Sequence, residues 1–315
     1  MMVWILADDR MGNVNQLLGI AEALELPYER KDIRYTKWVR LPNIVRGCSL
    51  IGITDQSVEG LTAPWPDIVL SAGRRSFPVA GWIKKQSQGK TKIVQLMNPG
   101  VIGFKKADLV VLPMHDRYKG TAKNVMRVCG TPHRVTSKRL NDEREKWQNV
   151  FGRYKAPRLS LIVGGATKNK PFTVQMAHQL VDGVLALKPA SVCVTTSRRT
   201  PTEVISILRQ RLPQESFFYE FGDKTENPYF GLLAWADLIV VTGDSMSMCS
   251  ECCASQTPVF IFAPGDMVSD KHKRFHAKLY QEGYASPLGE HQKEQQNKIE
   301  FNPAIEIAKK IKEMF

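Results

Sequence analysis

The stretch "VVTGDSMSMCSECCASQTPVFIFAPG", residues 240–265, decides how the chain is read. An apolar run ends in Thr242, Gly243, Asp244, Ser245 and Ser247; Glu251 follows within the next helical turn, and a second apolar run starts after Pro258. The pattern is strand, polar turn, helix, strand. Small hydrogen-bonding side chains at a helix N-terminus satisfy its free N–H groups, so capping explains them. The same N–H groups and the helix dipole also favour an anion. A carboxylate one turn into such a helix can accept both hydroxyls of a ribose. Two readings stand: a cap, or a nucleotide seat.

Outward from this turn, short apolar runs alternate with amphipathic stretches, the signature of repeated βα units and a mainly parallel sheet. Strands are expected near Val3–Ala7, Asp67–Ser71, Lys92–Leu96, Leu109–Leu112 and Asn124–Val128, with helices over Val14–Leu24 and Phe77–Lys85. The charged segment 137–157 reads as a helix and a polar link ending at Pro157. A second cycle follows: strands in "RLSLIVGG", "SVCVTT" and "SFFYEFG", helices over 172–187, 202–211 and Tyr229–Ala236, then the opening stretch and a helix from Lys271 to Gln281. The polar segment 290–302 reads as a solvated loop before a last helix from Pro303. The expected architecture is α/β, with two Rossmann-like domains facing across a cleft. Residues 1–155 form the acceptor- and membrane-facing domain and 156–315 the nucleotide-sugar domain, the last helix packing back on the first.

The other candidate residues lie at strand ends, where ligands of such sheets bind. Gly164 and Gly165 in "IVGGATKNKPF" let the backbone pass close to something, a pyrophosphate or a packing neighbour, without the spacing of a Walker loop. "TTSRRTP" offers Ser197, Arg198 and Arg199, whose guanidinium forks suit phosphate oxygens. In the first half, "LADDRMGNVNQ" ends a strand with Asp8 and Asp9, candidate general bases for an acceptor hydroxyl, with Asn13 and Gln16 entering the next helix. Arg74, Arg75, His115 and Asp116 stand at two further strand ends, and are candidate acceptor contacts. His272 and His276 lack the H-E-x-x-H glutamate and read as surface residues.

The chain has 315 residues, enough for two domains, with a net charge of +13. The excess is uneven. Residues 1–155 hold 26 Lys+Arg against 14 Asp+Glu, and residues 156–315 hold 18 against 17. A basic half points to an anionic partner: acidic lipid headgroups, a phosphorylated glycan or nucleic acid; Arg74, Arg75, Lys84 and Lys85 are candidate membrane contacts. No run approaches the roughly 18 apolar residues of a spanning helix, so a cytoplasmic protein is expected, peripheral on the inner face of a membrane. The six cysteines sit in apolar contexts and read as free buried thiols.

Taken in order, "DDRMGNVNQLLGIAEAL", "SAGRRSFPVA", "VQLMNPG", "VLPMHD", "GTPHRV", "LIVGGATK", "VTTSRRTP", "LAWADLIVVTGDSMSMCSE" and "TPVFIF" resemble the "elongated mitochondria" family of mitochondrial-fission proteins, grouped with the glycosyltransferases. The resemblance implies the GT-B architecture and a nucleotide-sugar donor on the C-terminal domain. Glu251 would then bind the ribose, Asp244, Ser245 and Ser247 the diphosphate or sugar, and Gly164 and Gly165 would approach the phosphates. It implies transfer to an anionic glycan or lipid-linked acceptor, with no bound metal and no cofactor, and makes nucleic acid an unexpected partner. A nucleotide-sugar epimerase and a non-enzymatic membrane-recruitment scaffold remain the alternatives.

Overall fold

The computed structural model describes residues 1–167, 169–290 and 301–315. The β-branched runs read from the sequence form strands buried on both faces, as a parallel sheet flanked by helices requires. In chain order the first elements are β1 (Val3–Ala7), α1 (Met11–Leu24), β2 (Tyr28–Asp32), α2 (Asn43–Arg46), α3 (Asp55–Glu59), β3 (Ile68–Ala72), α4 (Gly73–Gln86) and β4 (Lys92–Leu96). Then come α5 (Val101–Lys106), β5 (Leu109–Pro113), β6 (Val125–Val128), α6 (Ser137–Lys146), α7 (Gln148–Phe151), β7 (Arg158–Ile162), α8 (Val174–Ala186), β8 (Ser191–Thr195) and α9 (Thr202–Arg211). The rest are β9 (Phe217–Tyr219), α10 (Tyr229–Trp235), β10 (Leu238–Thr242), α11 (Met246–Cys253), β11 (Val259–Phe262), α12 (Asp270–Gln281), β12 (Ser286–Pro287) and α13 (Pro303–Lys312). The expected loop at 290–302 lies, for residues 291–300, outside the described residues.

The chain divides into two compact units, Met1–Arg134 with Asn302–Phe315, and Val135–Phe301. The first holds a six-stranded parallel sheet in the order β2-β1-β3-β4-β5-β6. Strand periodicity puts Val3 and Ile5 on one face, against Leu17, Ile20 and Leu24 of α1 and Ile307 and Ile311 of α13. Trp4 and Leu6 take the other face, with Phe77 and Ile83 of α4. The second unit holds a parallel sheet in the order β12-β11-β10-β7-β8-β9. Counted within that unit, the strands run 3-2-1-4-5-6, the doubly wound dinucleotide order. Strand order reverses between β1 and β3 in the first unit and between β7 and β10 in the second. At such reversals, helices leave on opposite faces and open a crevice at the carboxyl ends of the strands.

Five elements escape the sequence reading: β2, the short helices α2 and α3, α5 and β12. β2, "YERKD", carries no apolar face because it is an edge strand with exposed charged side chains, which discourages pairing with another chain. β12 is two residues long, and α5 spans a single six-residue stretch behind Gly100, whose φ of 83° needs glycine. Helix α4 starts four residues before its expected start and contains Pro78. Proline has no N–H for the carbonyl of Arg74, and the Asn43 side-chain amide donates to that carbonyl instead, at 2.9 Å. Arg46 Nη1 donates to the next carbonyl, Arg75, at 3.1 Å, so α2 braces the first turns of α4.

Candidate functional site

In the second unit, β7 runs out into Gly164 and Gly165, and β10 into Gly243 and Asp244, on either side of the strand-order reversal. Gly164 N–H donates to Thr242 Oγ1 at 2.7 Å, and that hydroxyl donates to Asp244 Oδ1 at 2.7 Å. Asp244 Oδ2 accepts from Gly165 N–H at 2.9 Å and from Arg199 Nη2 at 2.8 Å. The Asp244 side chain is fully buried, so its charge is met inside the unit by Arg199. A Cβ on Gly164 would overlap the Asp244 carboxylate, and one on Gly165 the backbone of Arg199. The close approach that both glycines permit is therefore made to the chain's own Asp244 and Arg199.

Around this knot, Ser197 and Thr200 bind each other's side chains, and Thr200 Oγ1 donates to the Gly164 carbonyl. Arg198 is exposed beside Arg199. Helix α11 begins at Ser245, which caps it by accepting from Met248 N–H at 3.4 Å, with Ser247 half-buried in the first turn. Capping thus accounts for Ser245, while Asp244 ties two strand ends together. Glu251, one turn further along, is buried, and its Oε2 accepts from the Tyr229 hydroxyl at 2.6 Å. Burial, reinforced by Glu251, pushes the Tyr229 phenol well above its ordinary range, so the hydroxyl stays protonated as a donor.

Of the two histidines expected at the surface, His276 is buried in this unit, which corrects that expectation, and His272 is half-buried. His276 is only 3% exposed; its ring lies where a Cβ on Gly243 would be, and its Nε2 has no hydrogen-bond partner among the described residues. Burial pushes its pKa down to about 4, which keeps it neutral. His272 is also lowered by burial, with Nδ1 at 2.7 Å from Ser269 Oγ. The signal was present: 272, 275, 276 and 279 form one helical stripe with buried Phe275 and Leu279. Cys193, Cys249, Cys252 and Cys253 are buried, and Cys48 and Cys129 are half-buried.

In the first unit, Asp8 and Asp9 follow β1 and Arg75 opens α4 after β3, again at the strand-order reversal. Arg75 Nη2 donates to Asp8 Oδ2 at 3.0 Å and also to Asp9 Oδ1. Asp8 further accepts from Arg10 N–H at 3.0 Å and from the Asn13 amide at 3.3 Å. The hydrogen bond from Arg75 holds the Asp9 carboxyl below its usual range. The Arg75 guanidinium stacks 4.6 Å above the Tyr35 ring. Asp8, Asp9, Tyr35 and Arg75 line a cavity of about 790 Å³ with Arg30, Asp32, Arg34, Lys37 and Arg40.

The structure gathers Asp8, Asp9, Asn13 and Arg75, and leaves the other acceptor candidates apart. Gln16 is buried on α1, and Arg74 turns to the Leu41 carbonyl at 3.0 Å. His115 and Asp116 follow β5, three strand steps from β1, or roughly 14 Å at ordinary strand spacing. The cations of segment 30–40 are not among the residues expected from the sequence: Arg30 lies within the charged edge strand β2, and Arg34, Lys37 and Arg40 follow it.

Two doubly wound parallel sheets with crevices at their strand-order reversals define a GT-B-like protein. The chain belongs to the mitochondrial fission ELM1 family, whose sequence profile matches residues 11–315. It is 29% identical over 324 residues to an uncharacterized protein of Rickettsia prowazekii (strain Madrid E), covering 92% of this chain and 91% of that one. It is 26% identical over 233 residues to the mitochondrial fission protein ELM1 of Arabidopsis thaliana, covering 67% of this chain and 54% of the plant protein. Among solved structures, the UDP-GlcNAc 2-epimerase of Methanocaldococcus jannaschii superposes with a TM-score of 0.54 at 14% identity, covering 100% of this chain and 99% of that one. The same enzyme solved with UDP-GlcNAc and UDP gives a TM-score of 0.55 at 12% identity, over 100% and 99% of the two chains. These likenesses show the fold. No helix among the described residues is long and apolar enough to cross a membrane.

Proposed function

We propose that the protein is a glycosyltransferase that moves a sugar from a nucleotide-sugar, held by the second unit, to an anionic, membrane-linked glycan acceptor held by the first. The observation that carries this reading is Glu251: a carboxylate buried one turn into α11, beside the β7–β10 crevice and fixed by Tyr229. An oriented carboxylate there accepts both ribose hydroxyls. The N-terminus of α11 and the exposed Arg198 favour the diphosphate, and Arg199 is held in place by Asp244. The UDP-GlcNAc and UDP bound to the archaeal epimerase support a nucleotide-sugar as the ligand class.

In this reading an acceptor oxygen forms the new bond to the anomeric carbon as the bond to the diphosphate breaks. The acceptor proton passes to Asp8 or Asp9, and the nucleoside diphosphate departs with its charge stabilised by the helix dipole and arginines. Asp9, held below its usual pKa by Arg75, is a weak base until the acceptor displaces that guanidinium. The donor titration comes first: thermal stability of wild type and Glu251→Ala with UDP, CMP, GDP and dTDP. One nucleotide should stabilise the wild type alone. If none shifts either protein, the donor reading falls.

The ion pairing of the strand-end carboxylates in both units favours a second reading, a membrane-recruitment scaffold without turnover. In that case Glu251→Ala leaves the biological phenotype intact. An epimerase would instead convert the sugar of its nucleotide-sugar with no acceptor present.

A further inference from the structure

Residues 33–54, "IRYTKWVRLPNIVRGCSLIGIT", carry Arg34, Lys37, Arg40 and Arg46 and no Asp or Glu. Within this run, residues 37–51 form a loop closed at its neck. Thr36 N–H donates to the Gly52 carbonyl at 3.0 Å, and Tyr35 bridges Ile53. A 3-10 turn, Lys37–Arg40, and α2 shape the loop. Four of its apolar side chains face outward: Ile44 is 75% exposed and Val45 62%, and Trp38 and Ile51 are exposed as well, while Leu50 packs on the core. An exposed tryptophan with three exposed β-branched residues in one closed loop is more than the scattered apolar exposure of an ordinary surface.

The base of the same loop lines the cavity beside Asp8 and Arg75. Thr36, Lys37, Val39 and Arg40 contribute to its wall, together with Arg30 and Arg34. Arg30 pairs with Asp32, and Arg75 with Asp8 and Asp9. Beneath, Arg46 is 1% exposed and has no carboxylate partner among the described residues. Its Nε donates to the Ile51 carbonyl at 2.9 Å and its Nη1 to that of Arg75, while Nη2 is buried without a partner. The Tyr35 hydroxyl is likewise buried without a partner. A buried guanidinium is poorly screened by salt, so the loop sits on a standing positive charge.

We propose that loop 37–51 docks the protein on a membrane rich in anionic phospholipid. Trp38, Ile44, Val45 and Ile51 enter the interfacial layer, and Lys37, Arg40 and Arg34 meet lipid phosphates at the cavity mouth. Tryptophan favours this depth because its ring is apolar with one polar N–H, and the cations gain from the negative surface potential. The four cations first expected to do this do not form one patch. Arg75 is ion-paired at the start of α4, and Lys84 pairs with Asp108 at 2.6 Å near its end. Ten residues of helix, roughly 15 Å, separate Arg75 from Lys85. The inference rests on the membrane-linked acceptor of the proposed function, and the two are tested separately.

The test is co-sedimentation of the full chain with phosphatidylglycerol-containing vesicles and with pure phosphatidylcholine vesicles. Wild type should bind the anionic vesicles and not the neutral ones, with affinity falling as salt rises. Ile44→Ser with Val45→Ser, both at exposed positions, should lower anionic-vesicle affinity at least tenfold without changing the thermal midpoint. Lys37→Gln with Arg40→Gln should lower it roughly thirtyfold at low salt, at about 1 kcal/mol per basic residue. Absence of binding by the wild type, or binding unchanged in both double variants, overturns the proposal. So does binding of free inorganic pyrophosphate to wild type without vesicle binding, which would make the cavity a soluble-phosphate site. UDP stabilisation is read on the same samples. Vesicle binding without any UDP effect removes the donor reading alone, and UDP binding without vesicle binding removes the docking loop alone.

Discussion

Arg199 and Asp244 leave different strands, β8 and β10, yet meet at 2.8 Å on an oxygen that also accepts from Gly165 N–H. The link closes the carboxyl edge of three neighbouring strands around one buried charge. Asp244→Ala strips partners from Arg199, Gly165 N–H and the Thr242 hydroxyl. The carboxylate is fully buried but the guanidinium is 39% exposed, so breaking the pair should cost less than the about 3–5 kcal/mol of a fully buried one. Arg199→Ala should cost a similar amount, and the double variant clearly less than the sum. Urea denaturation of the three proteins checks this cycle.

Tyr229 holds Glu251 from α10, outside the turn that carries the candidate donor residues. Tyr229→Phe removes one buried hydrogen bond, worth about 1.5–3 kcal/mol when one partner is charged. Nucleotide affinity should fall at least tenfold, in the same direction as in Glu251→Ala. Calorimetric titration distinguishes this from Tyr229→Phe binding as wild type does, which would mean that Glu251 needs no orienting partner.

His276 makes the fold acid-sensitive. In the folded protein it stays neutral down to about pH 4, while in the unfolded chain it gains a proton near its ordinary value of 6.5. Between those values the unfolded state binds more protons, so stability falls as pH drops from about 6.5 to about 4. A shift of that size corresponds to about 3 kcal/mol. His276→Phe should flatten this part of the stability–pH curve. An equally steep curve in the variant would place the sensitivity elsewhere.

Asp8 and Asp9 share Arg75 but differ in exposure: the Asp8 side chain is 4% exposed and that of Asp9 69%. Asp8→Asn should therefore lower the thermal midpoint, whereas Asp9→Asn should leave it within about a degree, as surface changes do. If Asp9 is the base, its replacement lowers turnover by about 10²–10⁴-fold with nucleotide stabilisation unchanged. Sugar-transfer assays on both variants decide which carboxylate takes the proton.

Much of the fold was legible because parallel strands buried on both faces read as apolar runs: Val3–Ala7 and Lys92–Leu96 are strands with the expected limits. β2 was illegible for the opposite reason, since an edge strand made of charged residues has no apolar pattern to detect. The turn at Thr242–Ser247 was recognised as a polar strand end, but its internal division was not. Ser245 caps α11 and Asp244 reaches across to Arg199, and that difference depends on a contact 45 residues away in sequence. His276 was misjudged by motif, since the absence of a metal-binding pattern says nothing about burial in a helical stripe. Loop 37–51 lacks Asp and Glu, a signal that the sequence reading did not use, and only exposure distinguishes its Ile44, Val45 and Ile51 from core residues.

Helix α13 comes last in the sequence and covers α1, which comes almost first. Its entry is fixed by Asn302, whose side chain accepts from Ala304 N–H at 3.0 Å, with Pro303 at the first turn. The second unit is thus an insertion within the first, anchored at both ends. On the ribosome, α1 emerges early and must wait through the synthesis of the entire inserted unit before Ile307 and Ile311 arrive to complete the cluster in which Leu17, Ile20 and Leu24 meet Val3 and Ile5. During that interval the side of the cluster that α13 covers is open to chaperones or to a neighbouring nascent chain. Removing the last 14 residues would make that temporary exposure permanent, so a short C-terminal truncation should damage the N-terminal unit first.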